Sequence, residues 1–211
     1  MIDNPSPAKT STDVRPTASP PLWLGLWGGA AALLSFRALS ATSAATWFPI
    51  ALSGSLLTVA TCYRMVPRFR AWASKLDLRA ILTLHALRAP IGVGFLVLEA
   101  RGELTGAFAR VAGYGDIVVG LLAVALLASF GRTDAIKPTR ALLCWNALGL
   151  LDIAIVVFQA QRLLLFVDPQ GMMALAKFPG SMLPSFVVPL VVSTHLLVFL
   201  RAHEARIRQS W

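Results

Sequence analysis

The chain has 211 residues, of which 56% are hydrophobic and only 14% are charged, whereas soluble domains carry about 25% charged residues. This composition excludes an ordinary soluble domain and indicates a polytopic membrane protein. The apolar runs are long and do not alternate, so they predict transmembrane helices, an all-α bundle and no β-barrel. The net charge of +9 does not indicate nucleic-acid binding, because the basic residues lie in short segments beside apolar runs, where they contact anionic lipid.

The amino-terminal region combines a polar leader with a short apolar run. Residues 1–21 contain five prolines and no apolar stretch, which predicts a disordered tail. The following run from Leu22 is interrupted at Arg37 and is short for a span, which needs about 20 residues. One interpretation is a signal peptide cleaved near residues 43–45. The other is a retained, tilted helix over 22–39, which the long polar leader and the arginine favour.

Five more spans follow in chain order, at residues 47–66, 80–100, 115–130, 141–160 and 182–200. The basic segment Arg64–Arg79 interleaves arginine and lysine with aromatic residues and leucine, which predicts a short helix on an anionic membrane surface and anionic lipid as a partner. Residues 101–114 are predicted to form a loop, with Asp116 in the first helical turn after it, where a carboxylate suits the helix dipole. Residues 203–211 form a basic carboxyl-terminal tail.

The distribution of lysine and arginine sets the predicted topology. If the amino terminus is cytoplasmic, the inner segments contain most of the 19 basic residues. Since cytoplasmic loops carry the excess of positive charge, the pattern predicts six transmembrane helices with both termini inside. We therefore expect a multi-pass protein of a bacterial inner membrane.

Five polar residues lie within the predicted spans: His85, Arg88, Asn146 and His195 in one layer of the inner leaflet, and Asp152 one or two helical turns beyond Asn146, near the midplane. An ionisable residue inside a membrane is costly, so it is a functional-site hypothesis by default. Arg88 and Asp152 are natural counter-ions, since each would be expensive to bury alone. Because histidine changes charge near neutral pH, we expect a site that binds protons or a small ligand, in a binding or permeation protein.

Two prolines strengthen the expectation of a cavity at this depth. Pro90 has no N–H to donate to the carbonyl of Ala86, and Pro189 has none for the carbonyl of Ser185. Freed carbonyls and kinks are common where a span lines a cavity or moves.

Two alternatives remain open for the polar layer. In the first, His85 and His195 are axial ligands of a b-type haem, with Arg88 facing a propionate. In the second, the layer only holds the helices together in an accessory or assembly protein, as interhelical polar contacts often do.

The sequence does not indicate an enzyme or a metal site. It contains no Gly-x-Ser-x-Gly, no His-Glu-x-x-His and no phosphate-binding loop. Cys62 and Cys144 are predicted to face the reducing side, where disulfides are rare, and isolated buried cysteine usually packs as a small hydrophobic residue.

Overall fold

The computed structural model describes residues 22–35, 41–130 and 139–209, which are helical and contain no strand. The predicted disordered tail at residues 1–21 lies outside the described residues. The α-helices are α1 (Leu22–Ser35), α2 (Ala41–Met65), α3 (Pro67–Lys75), α4 (Leu78–Ala86), α5 (Arg88–Ala100), α6 (Gly106–Ser129), α7 (Arg140–Arg162) and α8 (Val188–Gln209). A π-helical segment, Leu163–Val167, extends α7, a second, Leu183–Val187, precedes α8, and the 3₁₀ segment Gln170–Ala176 lies between them.

Five helical stretches in the described part of the chain are long and apolar enough to cross a membrane, which indicates a membrane protein. They are Ser43–Met65, Leu78–Ala100, Gly106–Ser129, Arg140–Val167 and Leu183–Ile207. The first predicted span corresponds to α1, whose apolar part, Leu24–Leu34, is shorter. The basic segment contains α3, and the helix of the last span continues through most of the predicted tail, to Gln209.

The start of the fourth predicted span differs from the structure. Residues 101–114 are not a loop: α6 begins at Gly106, after Thr105, whose N–H donates to the carbonyl of Gly171 at 2.8 Å. The first turns of α6 are apolar and contain no proline, and Phe108 and Ala112 are buried there, so packing favours helix. Asp116 therefore lies about 15 Å from the helix start, near mid-span, and is not in the first turn.

The third predicted span is broken into two helices. Leu87 separates α4 from α5, and its N–H donates to the carbonyl of Leu84 at 3.2 Å. Pro90 follows closely and cannot donate to the turn before it, which accounts for the break. His85 consequently lies in the last turn of α4, and Arg88 is the first residue of α5.

Pro189, the second of two prolines in the last span, has a clear structural effect. The carbonyl of Ser185, to which Pro189 cannot donate, accepts hydrogen bonds from Trp27 Nε1 at 3.1 Å and Ser55 Oγ at 3.2 Å. These two bonds connect α1 and α2 to the segment that leads into α8. The expected freed carbonyl is thus used to join three elements of the bundle.

Two apolar clusters flank a polar layer in the middle of the bundle. One cluster is built around residues such as Phe108 and Val156, and the other around residues such as Val119 and Leu142. On both α6 and α7 the two clusters occupy opposite ends of the helix. The polar residues between them are therefore surrounded by apolar packing on both sides.

Candidate functional site

The structure brings the five predicted site residues into one layer, centred on the guanidinium of Arg88; four of them are buried and Asp152 is half-buried. The Arg88 side chain is 3% exposed, and its Nε lies 2.6 Å from Oδ1 of Asp116. Its Nη2 pairs with Oδ2 of Asp152, so the predicted counter-ion pair is present. Its Nη1 donates to the carbonyl of Gly149 at 3.4 Å. Arg88 thereby connects α5 with both α6 and α7.

Asp116 is a member of this layer that the sequence reasoning missed. The error follows from the predicted helix start: a carboxylate near the first turn of a helix has an ordinary structural role. The signal that could have found it is the apolar stretch from Gly106, which contains only one charged residue, Arg110, before Asp116. A helix extended over that stretch moves Asp116 to the depth of Arg88.

The ion-pair cluster contains one guanidinium and two carboxylates, those of Asp116 and Asp152. The other buried polar side chains in the described residues are serine, threonine, asparagine and histidine. With both carboxylates ionised and the histidines neutral, the layer carries a net charge of −1. Because an uncompensated charge is expensive in this environment, one added proton or monovalent cation stabilises it.

The two histidines are fully buried and in direct contact. His85 and His195 are both 0% exposed, and their ring centroids lie 4.2 Å apart. Trp145 packs edge-on against His85 with a centroid distance of 5.1 Å and an interplanar angle of 87°. The Trp145 indole donates to the carbonyl of Val119 at 3.0 Å. The histidine pair is therefore enclosed by α6, α7 and α8.

Asn146 fixes the tautomer of His195. Its Nδ2 donates to the carbonyl of His195 at 3.0 Å, and its Oδ1 lies 2.9 Å from Nδ1 of the same histidine. Since the amide oxygen can only accept, Nδ1 carries the hydrogen and Nε2 carries the lone pair. Within the described part of the chain this buried Nε2 has no hydrogen-bond partner.

Thr194 fixes the tautomer of His85. Its hydroxyl lies within 3.0 Å of the carbonyls of Leu190 and Val191 and at the same distance from Nε2 of His85. A hydroxyl that donates to its own helix accepts from the histidine, so Nε2 carries the hydrogen. The buried Nδ1 of His85 then has a lone pair, and among the described residues it has no partner.

This geometry does not fit a bis-histidine haem. Axial ligands lie on opposite faces of the macrocycle, with the iron between them. Rings of His85 and His195 whose centroids are 4.2 Å apart are in direct contact and leave no space for a porphyrin. No group of three or more His, Cys, Asp or Glu side chains that could hold a metal ion occurs in the described ranges.

A small, partly open cavity reaches the ion-pair cluster. Its volume is about 80 Å³ and its lining is mostly apolar, but it includes Arg88, Asp116 and Gln161. Asp152 does not line it. The Oε1 atom of Gln161 is buried without a partner among the described residues. A space of this size with polar groups in its wall can hold several water molecules, since one water requires roughly 10–15 Å³.

Comparison with known proteins gives one family and no characterised relative. A family model described as "Domain of unknown function (DUF8737)" matches residues 45–202. That range includes every residue of the polar layer. No curated protein and no solved structure matches the chain.

Proposed function

The chain belongs to the DUF8737 family, and we propose that it is a multi-pass protein of a bacterial inner membrane that binds protons at its buried polar layer and passes them across the membrane. The observation that carries this proposal is the presence of two carboxylates on one guanidinium, at Arg88, Asp116 and Asp152. A site that lacks one positive charge in a low-dielectric environment takes up a proton when one is accessible.

Asp116 is the proton acceptor that faces the water of the cavity. Its side chain lines the cavity, whereas that of Asp152 does not. A proton delivered through cavity water thus reaches Asp116 first. Protonation leaves a neutral Arg88–Asp152 pair, which removes the excess charge from the layer.

The histidine pair supplies the next acceptors along the path. A Cβ added at Gly149 would lie 2.8 Å from Nε2 of His195, and the carbonyl of Gly149 accepts from Arg88. The free lone pair of His195, on α8, therefore lies against the turn of α7 whose carbonyl, that of Gly149, accepts from Arg88. The free lone pair on Nε2 lets the neutral imidazole of His195 accept a proton.

The size of the cavity favours a proton over an organic ligand. Pockets for small molecules have volumes of roughly 300–1,000 Å³, far above the value of about 80 Å³ found here. Water and a proton fit this space, and a metabolite does not. A buried polar layer with room only for water is typical of a proton relay.

The proposed topology gives the path a direction. Six spans, with α1 as the first and both termini cytoplasmic, put the 3₁₀ segment Gln170–Ala176 on the outer side. The cavity, which is lined by Leu175 and Leu183, then extends from Asp116 toward the outer face. The histidine pair lies between Asp116 and the inner ends of α4 and α8, so protons enter from outside.

The proposal is tested by proton flux into proteoliposomes that contain a trapped pH-sensitive dye, driven by a potassium diffusion potential. We expect the purified protein to acidify the lumen faster than protein-free liposomes do. Asp116→Asn should abolish this flux, while Glu99→Gln, which removes a carboxylate from the more exposed Glu99–Arg110 ion pair, should leave it unchanged.

Two results would contradict the proposal. One is a folded wild-type protein with no flux above that of empty liposomes, which favours the purely structural role of an accessory or assembly protein. The other is an Asp116→Asn variant that conducts as well as wild type, which would remove Asp116 from the path. Size-exclusion chromatography of each variant establishes that it is folded before reconstitution.

A further inference from the structure

A second, larger concave surface lies between α1, α2 and α3, away from the polar layer. Its volume is about 830 Å³. The residues that line it are mostly apolar or small, and we call it the α2 groove: Trp27, Ala30, Ala31, Leu34, Trp47, Ile50, Ala51, Gly54, Ser55, Thr58, Val59, Cys62, Val66, Arg68, Phe69, Trp72 and Ser185. A groove of this volume and lining can hold a hydrocarbon chain.

The groove is built by small side chains and by the hydrogen bonds to Ser185. Trp27 and Ser55 both donate to the carbonyl of Ser185, which fixes the distance between α1 and α2. Gly54 is an exposed residue of α2 in the groove wall, and a Cβ added there would meet no atom within 4 Å. The open space along α2 is therefore a feature of the packing of described residues.

One end of the α2 groove is cationic. Among the described residues that line the groove, Arg68 alone is charged; it is exposed and lies on α3 beside Phe69. Arg64 and Arg70 are also exposed on the neighbouring turns. The acidic residue of this segment, Asp77, does not line the groove and accepts the backbone N–H of Arg79 as a helix cap.

We propose that the α2 groove holds one acyl chain of an anionic phospholipid, whose headgroup phosphate binds Arg68. An arginine next to the membrane surface attracts anionic headgroups and binds phosphate in a bidentate manner. The lining on α2 runs from Trp47 to Cys62 and includes Gly54, a length of about 22 Å that exceeds one leaflet of a hydrocarbon core about 30 Å thick. This inference does not depend on proton transfer.

Native mass spectrometry of the delipidated protein in detergent, titrated with phosphatidylglycerol or phosphatidylcholine, tests the proposal. Phosphatidylglycerol should bind more tightly than phosphatidylcholine. Arg68→Gln should weaken phosphatidylglycerol binding about fivefold, the loss expected for one arginine near a lipid surface. Arg70→Gln is the matched control on the same helix, since Arg70 does not line the groove, and it should have little effect.

A second pair of variants tests the acyl chain independently of charge. Gly54→Leu puts a side chain into open groove space and should weaken phosphatidylglycerol binding as much as Arg68→Gln does. Gly94→Leu is the control, because a Cβ at Gly94 also meets no atom within 4 Å but lies outside the groove.

Several outcomes would overturn the proposal. Equal weakening by Arg68→Gln and Arg70→Gln would mean that lipid is attracted only by the general charge of α3. Equal binding of phosphatidylcholine would remove the role of the anionic headgroup. Unchanged phosphatidylglycerol binding in folded Gly54→Leu would exclude the groove as the binding site. A mass of two protein chains that is seen for the wild type and is absent for Gly54→Leu would identify a second copy of the protein as the occupant.

Discussion

Asp116 of α6 and Arg88 of α5, which are 28 positions apart, form an ion pair with 2.6 Å between Oδ1 and Nε. The pair lies near the middle of two stretches, Leu78–Ala100 and Gly106–Ser129, that are long and apolar enough to cross a membrane. Because Asp152 binds the same guanidinium, Arg88 is shared between two acids. Removal of Arg88 should therefore lower the stability of the protein more than removal of either acid.

Arg88→Leu should be the most destabilising of the single changes in the layer. It leaves the buried carboxylate of Asp116 and the half-buried one of Asp152 without their cation, and loss of one partner of a buried ion pair costs about 3–5 kcal/mol. Asp116→Asn leaves a neutral Arg88–Asp152 pair, so its cost should be clearly smaller. Unfolding in mixed detergent micelles, followed by circular dichroism, measures both free energies.

A compensated variant separates charge from packing in this experiment. The triple variant Arg88→Leu, Asp116→Asn, Asp152→Asn contains no charge in the layer and should recover part of the stability lost in Arg88→Leu, since neutral replacements of buried ion pairs are often tolerated. If Arg88→Leu were as stable as Asp116→Asn, the net charge of the layer would not control its stability.

Much of the fold can be predicted from the sequence because a lipid environment allows the chain few backbone structures. A chain that must satisfy its backbone hydrogen bonds internally forms helices wherever it is apolar for about 20 residues. The rise per residue then converts sequence position into depth, which is why Arg88, Asn146 and His195 could be assigned to one layer. The break near Pro90 also follows from the chemistry of that residue.

Other features depend on contacts that no single helix contains. The start of α6 at Gly106 is set by packing of its first turns, and this error concealed Asp116. The pairing of His85 with Thr194, and of His195 with Asn146, depends on the rotation of three helices about their axes. Hydrophobicity does not fix that rotation, so sequence alone could not distinguish two histidines in contact from two haem ligands.

Gly149→Ala tests the close contact between α7 and His195. A Cβ at this position would lie 2.5 Å from Cε1 and 2.8 Å from Nε2 of the imidazole, so the ring must move away from Asn146. We expect a loss of about 1–3 kcal/mol in unfolding free energy, typical of overpacking. Gly94→Ala, where the added Cβ meets no atom within 4 Å, should be neutral or stabilising because alanine favours helix. A Gly149→Ala protein as stable as Gly94→Ala would contradict the close packing.

Thr194→Val tests the hydrogen bond that orients His85. Valine has nearly the same shape but cannot accept from Nε2 of His85, and a buried donor left without a partner costs about 1–3 kcal/mol. Ser193→Ala is the matched control on the adjacent position, since the Ser193 hydroxyl donates at 2.6 Å only to the carbonyl of Pro189 in the same helix. Thermal unfolding should distinguish the two variants, and equal effects would mean that the His85 contact adds nothing.

The topology can be tested at both ends of the chain. Leu22, Leu26 and Leu33 of α1 are 82%, 65% and 74% exposed, a pattern that suits lipid better than water. We therefore expect α1 to cross the membrane as a sixth span, in spite of a length of about 21 Å, with tilt or local thinning of the bilayer. Six crossings put both termini on one side, and the excess of positive charge on the inner segments predicts that this side is the cytoplasm.

A carboxyl-terminal fusion to green fluorescent protein should accordingly be fluorescent, since that reporter folds in the cytoplasm. In a variant with Cys62→Ala and Cys144→Ala, a cysteine introduced by Ser6→Cys should resist a membrane-impermeant maleimide in intact cells and react after lysis. Labelling of intact cells together with a fluorescent carboxyl-terminal fusion would put the two termini on opposite sides. That result would leave five spans and assign α1 to the membrane surface, because an odd number of crossings is the only way to separate the termini.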